Sequence, residues 1–229
     1  RFLTEKTPFE HISQVAGGLE YRRRRGKPIS LAILQRFVAN EGDAWQYSES
    51  WESEIQDVIP MHFSGRTAYL TLIEVEYREG EPETYVIPVT ITPADETGEL
   101  GSEYPHALIA RLKPRSVKNE WMLYDALADK AFGKFLLQAI GQRRRFKGKI
   151  GEISASPTKV LRNARGADAS ALEPTPMKVE QSNTSVVYGD RLILKLFRRL
   201  EEGVNPDLEI GRFLTEKTPF EHISQVAGG

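Results

Sequence analysis

Apolar and polar positions alternate along most of the chain, and this alternation predicts antiparallel strands. Apolar side chains that recur at every second residue are typical of a strand with one buried face. Glycine, proline and charged residues separate the alternating runs, as at Gly26, Gly65 and Gly80, and these separators predict turns. The predicted strands are residues 19–24, 28–38, 54–63, 66–80, 83–94, 104–113, 147–154 and 191–197.

Two stretches follow the helical period instead. Residues 119–142 carry apolar side chains three and four positions apart, which predicts a helix. A second helix is predicted from Pro206, because Asn205 is a good N-cap and Asp207 complements the positive end of the helix dipole. Many strands with few helices predict an α+β fold with two antiparallel sheets.

The strand run at residues 191–197 places a charge among apolar side chains. Alternation puts Lys195 on one face with Ile193 and Phe197, and three leucines on the other face. A buried ammonium is costly unless a carboxylate meets it. Glu209, in the first full turn of the second predicted helix, is the candidate, so we expect a Lys195–Glu209 ion pair. The apolar stripe expected beside Glu209 is formed by Ile210, Phe213 and Leu214.

Two blocks of sequence carry a family resemblance. Residues 181–216 (QSNTSVVYGDRLILKLFRRLEEGVNPDLEIGRFLTE) and residues 31–47 (LAILQRFVANEGDAWQY) resemble the amino-terminal lobe of maltokinases, including those fused to trehalose synthase. Residues 51–145 are similar in place and pattern to the cap subdomain that precedes this lobe. The resemblance implies a fold of the protein-kinase type, in which a strand lysine paired with a helix glutamate positions the ATP phosphates.

The resemblance also implies a nucleotide site. Residues 181–185 occupy the phosphate-loop position, although they lack the glycines of GxGxxG and no Walker A motif occurs. Without the resemblance they are a polar hairpin turn, and both interpretations stay open. Residues 35–38 correspond to the hinge whose backbone contacts adenine. The implied nucleotide-binding residues are Gln181, Ser182, Asn183, Thr184, Ser185, Lys195, Glu209, Gln35, Phe37 and Val38.

The motifs that would carry phosphoryl transfer are missing from the sequence. In the family, a catalytic loop similar to HGDxHLGQ and a metal segment similar to IDFEGEP belong to a second lobe, and neither occurs here. ATP and magnesium are therefore implied for the parent family, while we expect neither to bind tightly to this chain and assign no catalytic or metal residue. The four histidines lack the spacing of ligands or of a triad and are predicted to be structural or surface residues. They are His11, His62, His106 and His222.

Composition narrows the function classes. With 229 residues, 40% hydrophobic and 28% charged, the chain is typical of a globular protein. A formal net charge of −1 gives no general attraction to nucleic acid or to an anionic membrane. The absence of cysteine excludes disulfides and thiol catalysis. No apolar run is long enough to span a bilayer and no signal peptide opens the chain, so we expect a soluble, cytoplasmic protein.

One segment occurs twice. Residues 1–18 (RFLTEKTPFEHISQVAGG) recur letter for letter as residues 212–229, an identity too complete for a diverged repeat. We interpret the chain as a circular permutation of a cap, residues 51–145, and a lobe formed by residues 146–229 and 1–48. Two identical segments then compete for one position in the lobe. Helix continuity favours the second copy, and the surplus copy predicts self-association by exchange between chains.

Three functions remain open from the sequence. The chain is a maltokinase-derived cap and lobe, whose parent uses ATP to make maltose 1-phosphate for α-glucan synthesis and which has no turnover alone. Alternatively, it is an engineered or domain-swapped assembly in which association is the function. In the third case the family resemblance is incidental and the chain is a non-enzymatic α+β interaction module.

Overall fold

The computed structural model describes residues 15–23, 26–35, 50–77, 80–96, 103–113, 119–161, 172–177, 183–217 and 226–228. The strands are β1 (Val15–Arg23), β2 (Ile29–Gln35), β3 (Ser50–Phe63), β4 (Arg66–Tyr77), β5 (Glu83–Pro93), β6 (Leu108–Leu112), β7 (Trp121–Asp125), β8 (Arg145–Lys147), β9 (Gly151–Pro157), β10 (Pro174–Pro176), β11 (Asn183–Tyr188), β12 (Leu192–Phe197), β13 (Arg199–Leu200) and β14 (Val226–Gly228). The main helices are α1 (Lys130–Gly141) and α2 (Pro206–Lys217), with 3₁₀ turns at Ala94–Glu96, Pro105–Ala107 and Ala126–Ala128.

The strands form two sheets, which confirms the predicted α+β fold. The lobe sheet has the order β10-β11-β12-β2-β1-β14-β9-β8. The cap sheet has the order β3-β4-β5-β7-β6. The short strand β13 also pairs with β5. Neighbouring strands are antiparallel except for β1 and β14, which are parallel. We use lobe sheet and cap sheet only as names: the strands of the lobe sheet come from residues 15–35 and 145–228, and those of the cap sheet from residues 50–125 and 199–200.

The long β3–β4 hairpin shows why alternation predicted the cap strands. Its two strands pair from Phe63 and Arg66 at the turn to Ser50 and Tyr77 at the open end. Gly65 in the turn has φ 76°, a conformation that glycine adopts without the strain of a side chain. Near the turn, alternate side chains from residue 57 to 63 and at residues 68, 70 and 72 are buried. The buried side chains are Ile59, Met61, Phe63, Ala68, Leu70 and Leu72.

The prediction of a helix over residues 119–142 is wrong in its first part. Residues 121–125 form β7, in which Met122 and Tyr124 are buried on the same face and pair with β5. The helix α1 begins only at Lys130, where the Asp129 carboxylate accepts a hydrogen bond from the Ala131 N–H at 2.8 Å. Residues 121–125 alternate with the strand period of two, whereas the prediction gave them the helical period of the residues that follow.

Helix α1 packs against both sheets. On the cap side, the Phe132 ring lies 5.1 Å from the Phe63 ring, centroid to centroid. On the lobe side, the Tyr188 hydroxyl donates to the Gly133 carbonyl at 2.9 Å. Residues of the helix and of both sheets belong to one hydrophobic cluster. The cap and the lobe therefore share this core, and a smaller separate cluster in the cap consists of Tyr104, Ala107 and Ala128.

A buried carboxylate joins the cap sheet to the lobe sheet. Asp57 of β3, only 3% exposed, accepts hydrogen bonds from the N–H groups of Lys149 at 2.8 Å, Ile150 at 3.2 Å and Gly151 at 2.9 Å. The Tyr21 hydroxyl of β1 donates to the same carboxylate at 3.0 Å. We call Asp57, Tyr21 and residues 149–151 the Asp57 clamp. It fixes the β8–β9 turn and β1 against the edge of the cap sheet.

The clamp changes the pKa of both side chains in it. Burial alone would raise the pKa of Asp57, but hydrogen bonds from the Gly151 N–H, the Tyr21 hydroxyl and the Lys149 N–H outweigh burial and leave the pKa below its ordinary value. Burial, together with the hydrogen bond to Asp57 and the charge of Asp57, raises the pKa of Tyr21 to about 12. The packing is tight, since a Cβ on Gly148 would lie 2.6 Å from the Asp57 carboxylate.

We predict that Asp57→Asn lowers the free energy of unfolding by roughly 2–3 kcal/mol, because an amide NH₂ would face donors that have no other acceptor in the clamp. Urea unfolding at neutral pH measures the change. The matched control is Asp95→Asn, since Asp95 is exposed and should change the free energy by less than about 0.5 kcal/mol. Equal stability of the two variants would contradict the clamp.

The depressed pKa of Asp57 also predicts acid sensitivity. A carboxyl whose folded pKa lies below its unfolded value stabilises the protein above the unfolded pKa, about 3.9 for aspartate, and loses this contribution as the pH falls through the folded pKa. The stability advantage of the parent over Asp57→Asn should therefore shrink as the pH falls below about 4. A difference that stays constant down to about pH 2.5 would rule this out.

Candidate functional site

The structure brings together two of the predicted nucleotide-binding residues, Lys195 and Ser185. They are directly paired across β11 and β12, and the backbone of Ile33 in β2 pairs with Lys195 on the other side. As predicted, the leucines of β12 are buried on one face, while Lys195 lies half-buried on the opposite face. This face of the lobe sheet is the candidate site.

Ser185 carries a buried side-chain hydroxyl that no other described residue contacts by a hydrogen bond. Its side chain is 0% exposed, and its Oγ has no hydrogen-bond partner among the described residues. A buried hydroxyl without a partner costs about 1–3 kcal/mol, and such groups are rare in folded proteins. Within the described residues, the Lys195 ammonium also forms no ion pair. One unpaired donor and one unpaired cation therefore sit opposite each other across the two strands.

The other residues of the predicted phosphate-loop position divide into two groups. Asn183 and Thr184 belong to β11 with Ser185, so they are strand residues and not a turn. The Thr184 hydroxyl accepts a hydrogen bond from the Arg198 Nε at 2.8 Å. Gln181 and Ser182 lie outside the described residues. The structure therefore limits any loop at this position to the residues before Asn183.

The predicted hinge lies mostly outside the described part of the chain. Gln35 is the last residue of β2, and its backbone pairs with Ile193 of β12. Phe37 and Val38 follow it and are outside the described residues. The start of the predicted hinge is thus on the strand next to Lys195, two residues along from its pairing position.

The predicted ion pair between Lys195 and Glu209 does not form. Glu209 is exposed on α2, whereas its neighbour Leu208 is 0% exposed. Asn205 caps the helix as predicted, because its Oδ1 accepts from the Asp207 N–H at 2.9 Å. Successive helical residues point about 100° apart, so a helix that buries Leu208 turns Glu209 away from the sheet.

The predicted apolar stripe of α2 is also wrong in part. Phe213 is 55% exposed, and Ile210 is half-buried. Leu208 and Gly211, three positions apart, form the buried face instead. Gly211 is buried although it has no side chain, so the hydrophobic pattern of the sequence did not show this face. The Leu214 side chain is outside the part of the protein that the structure describes.

Sequence reasoning missed the polar link beside the site, formed by Arg198 and Asp125. The Arg198 guanidinium donates to Thr184 of the lobe and to the Asp125 carboxylate of the cap. The side chains of Arg198 and Asp125 are only 14% and 18% exposed. Asp125 also accepts from the Leu127 N–H at 2.9 Å and so ends β7. The sequence signal was an arginine directly after a strand, which does not reveal its distant partner.

The described residues provide no candidate metal site. They contain no group of three or more His, Asp or Glu side chains arranged to hold a metal ion. His62, exposed, is 2.9 Å from the Thr67 hydroxyl, and His106, exposed, packs edge-on against Tyr104. His11 and His222 are outside the described residues. In the same part of the chain, no helix is long and apolar enough to cross a membrane.

We predict that Arg198→Met lowers the free energy of unfolding by roughly 3 kcal/mol, because it leaves the Asp125 charge mostly buried without a partner. Arg198→Lys keeps the charge and should cost less. Denaturant unfolding of both variants measures the difference.

The control for this prediction is a double-mutant cycle with Asp125→Asn, which keeps an oxygen for the Leu127 N–H and removes the charge. Arg198→Met should cost less in the Asp125→Asn background than in the parent. Fully additive effects would show that the two side chains do not interact.

Comparison with family models matches part of the chain to a described domain. Residues 34–129 match the family model described as the maltokinase N-terminal cap domain. The matched region contains the cap strands β3 to β7 and reaches the N-cap of α1 at Asp129. It also extends before β3 to the last residues of β2. This part of the chain is a maltokinase-like cap.

Proposed function

We propose that the chain forms the cap and the nucleotide-binding lobe of a maltokinase-type phosphotransferase, which transfers the ATP γ-phosphate to maltose and gives maltose 1-phosphate. The observation that carries the proposal is the match of residues 34–129 to the maltokinase cap family. The remaining described residues supply the support, since they form a second sheet that shares a core with this cap.

The face of the lobe sheet around Lys195 is the nucleotide site of the proposal. An ammonium on a strand is suited to hold phosphate oxygens, because each contact is a charge-assisted hydrogen bond. Ser185, paired with Lys195, carries a buried hydroxyl that has no partner among the described residues. β2, the strand beside Lys195, ends at Gln35 and leads to the residues proposed to contact adenine.

The same site predicts weak nucleotide binding. Glu209 is exposed and does not orient Lys195. The described residues hold no cluster of carboxylates for magnesium, so the charge of a triphosphate would be balanced here by Lys195 and by solvent ions. The sequence contains neither of the family's motifs that position the sugar hydroxyl and the metal. The proposal therefore assigns nucleotide binding to this chain and assigns no catalytic step to its residues.

We predict that ATP binds with a dissociation constant of about 1 mM or weaker and that Lys195→Met weakens binding by roughly tenfold, the effect of losing one charge-assisted contact. Calorimetry or a fluorescence titration measures both affinities. The matched control is Lys147→Met, because Lys147 is an exposed strand lysine of the same sheet near its opposite edge. Equal affinities of the two variants would exclude Lys195 from the site.

A coupled assay for ADP release tests the second half of the proposal. The purified chain, given ATP, magnesium and maltose, should show no release above the rate without maltose. Added to a separately produced lobe that carries the catalytic and metal motifs, it should restore maltose-dependent release. Robust turnover by the chain alone would overturn the assignment of catalysis to other residues. Binding of ATP without any restored turnover would point to the interaction module instead.

A further inference from the structure

Charge is unevenly divided along the chain, although the formal net charge is only −1. Residues 51–129 carry 15 Asp or Glu and six Lys or Arg, whereas residues 130–165 carry ten Lys or Arg and one Glu. Five of those cations fall within seven residues, where helix α1 ends and the β8–β9 hairpin begins. We call these five side chains the basic ridge: Arg143, Arg144, Arg145, Lys147 and Lys149. The low net charge therefore conceals a strongly basic surface.

The side chains of the basic ridge are all exposed, and few carboxylates neutralise them. Among the described residues, the ridge forms one ion pair, between Arg145 and Glu152 at 3.5 Å. Arg22 of β1, also exposed, and Lys147 of β8 are both paired with Glu152, so the three side chains share one face of the sheet. One glutamate thus faces three cations. The other four cations of the ridge have no ion pair in the part of the chain that the structure describes.

The backbone beneath the basic ridge is fixed at both ends. After α1, the Arg143 N–H donates to the Ile140 carbonyl at 3.2 Å, and the next N–H donates to the Ala139 carbonyl at 3.0 Å, which are the hydrogen bonds of a Schellman motif. Arg143 has φ 55°, at a position where glycine is usual because a side chain is strained there. At the other end, the Asp57 clamp holds the N–H groups of residues 149–151. The cations therefore project from a rigid frame.

Two aromatic rings hold one arginine of the ridge in place. The Arg144 guanidinium lies 4.9 Å from the centroid of the Phe135 ring and 5.1 Å from that of the Phe146 ring. Both rings are buried, while the arginine itself stays exposed. A guanidinium fixed in this way loses little conformational freedom when its planar donors meet a carboxylate.

Stabilisation of the helix accounts for only part of the basic ridge. Cations at the carboxyl end of a helix complement its dipole, and Arg143 and Arg144 are placed for this. The dipole effect falls off within the last turn, so it does not extend to Lys147 and Lys149 on the hairpin or to Arg22 on β1. Cations this close repel one another, and an anionic partner would remove that repulsion.

The geometry of the ridge favours an extended acidic chain over other polyanions. Arg145 and Lys147 lie on one face of β8, the last strand of the lobe sheet, and Arg144 lies on the opposite face, so the cations surround the edge of the sheet. A flat anionic membrane would meet only one of these faces. Single-stranded nucleic acid uses exposed aromatic rings to stack its bases, but Phe135 and Phe146 are buried under Arg144.

We propose that the basic ridge binds an extended acidic segment of a partner protein. The side chains of an extended segment point alternately to its two sides, so its carboxylates meet the cations on both faces of the sheet edge. Each contact is a charge-assisted hydrogen bond. Ile150, 45% exposed next to Lys149, adds one apolar contact. The proposal goes beyond the phosphotransferase function and does not depend on it.

Fluorescence anisotropy with a labelled peptide of twelve glutamates tests the proposal, at about 50 mM salt so that screening is weak. The full chain should bind this peptide, and the affinity should fall as salt is added. The ridge variant carries Arg143→Gln, Lys147→Gln and Lys149→Gln, which remove three exposed charges without an ion pair among the described residues. It should bind the peptide at least about tenfold more weakly than the parent.

The matched control variant loses the same charge from exposed cations elsewhere and carries Arg111→Gln, Lys113→Gln and Lys130→Gln. Its affinity should stay within about twofold of the parent. Equal losses in the two variants, or a parent that does not bind, would overturn the proposal. Tighter binding of labelled twelve-nucleotide single-stranded DNA, or of vesicles that contain phosphatidylserine, would assign the ridge to another class of partner and reject the acidic segment.

Zero-length cross-linking locates the contact independently of affinity. A carbodiimide joins a lysine amine to a glutamate carboxylate that it touches, with loss of water, and mass spectrometry then identifies the linked lysines. Lys147 and Lys149 should be linked to the glutamate peptide several-fold more often than Lys113 and Lys130, which are also exposed. Equal linkage of all four lysines would show that the peptide does not select the ridge and would reject the proposal.

Discussion

One buried carboxylate holds the two sheets in a fixed relation. Asp57 can remain ionised inside the protein because the Lys149, Ile150 and Gly151 N–H groups and the Tyr21 hydroxyl all point at it. Those donors come from the lobe, while Asp57 belongs to the cap. Each hydrogen bond can form only when the β8–β9 turn lies at one distance from β3. The orientation of the cap on the lobe is therefore specified by polar geometry as well as by apolar contact.

A second connection runs through the chain itself. β12, which carries Lys195, passes through Arg198 and continues as β13 in the cap sheet, where the Val86 N–H donates to the Arg198 carbonyl at 2.8 Å. The guanidinium of the same residue reaches Asp125 of the cap. The strand of the candidate site is thus anchored at its end by the cap. A change in the cap near Asp125 would shift the position of Lys195 directly.

The sequence predicted the elements with a regular period and missed the contacts between distant elements. Alternation located the β3–β4 hairpin, and the Asn205 N-cap located the start of α2, because both signals are local. β7 was missed because a five-residue strand next to a helix gives too short a pattern. The Asp57 clamp links residues more than 90 positions apart, and no local pattern records such a pairing. At the candidate site, the sequence predicted the strand that carries Lys195, but it missed β11, which pairs Ser185 with Lys195, and it missed the rotation of α2.

The rotation of α2 explains why Lys195 has no counter-charge among the described residues. Turning Glu209 towards the sheet would require the helix to rotate by about 100° and to expose Leu208, at a cost of about 2 kcal/mol for a leucine side chain. An ion pair at a partly exposed lysine contributes about 1 kcal/mol or less to the free energy of unfolding. The apolar contact therefore prevails, and the ammonium stays unpaired among the described residues beside the Ser185 hydroxyl. Hydrophobic packing of one helix thereby decides that Lys195 has no carboxylate partner among the described residues.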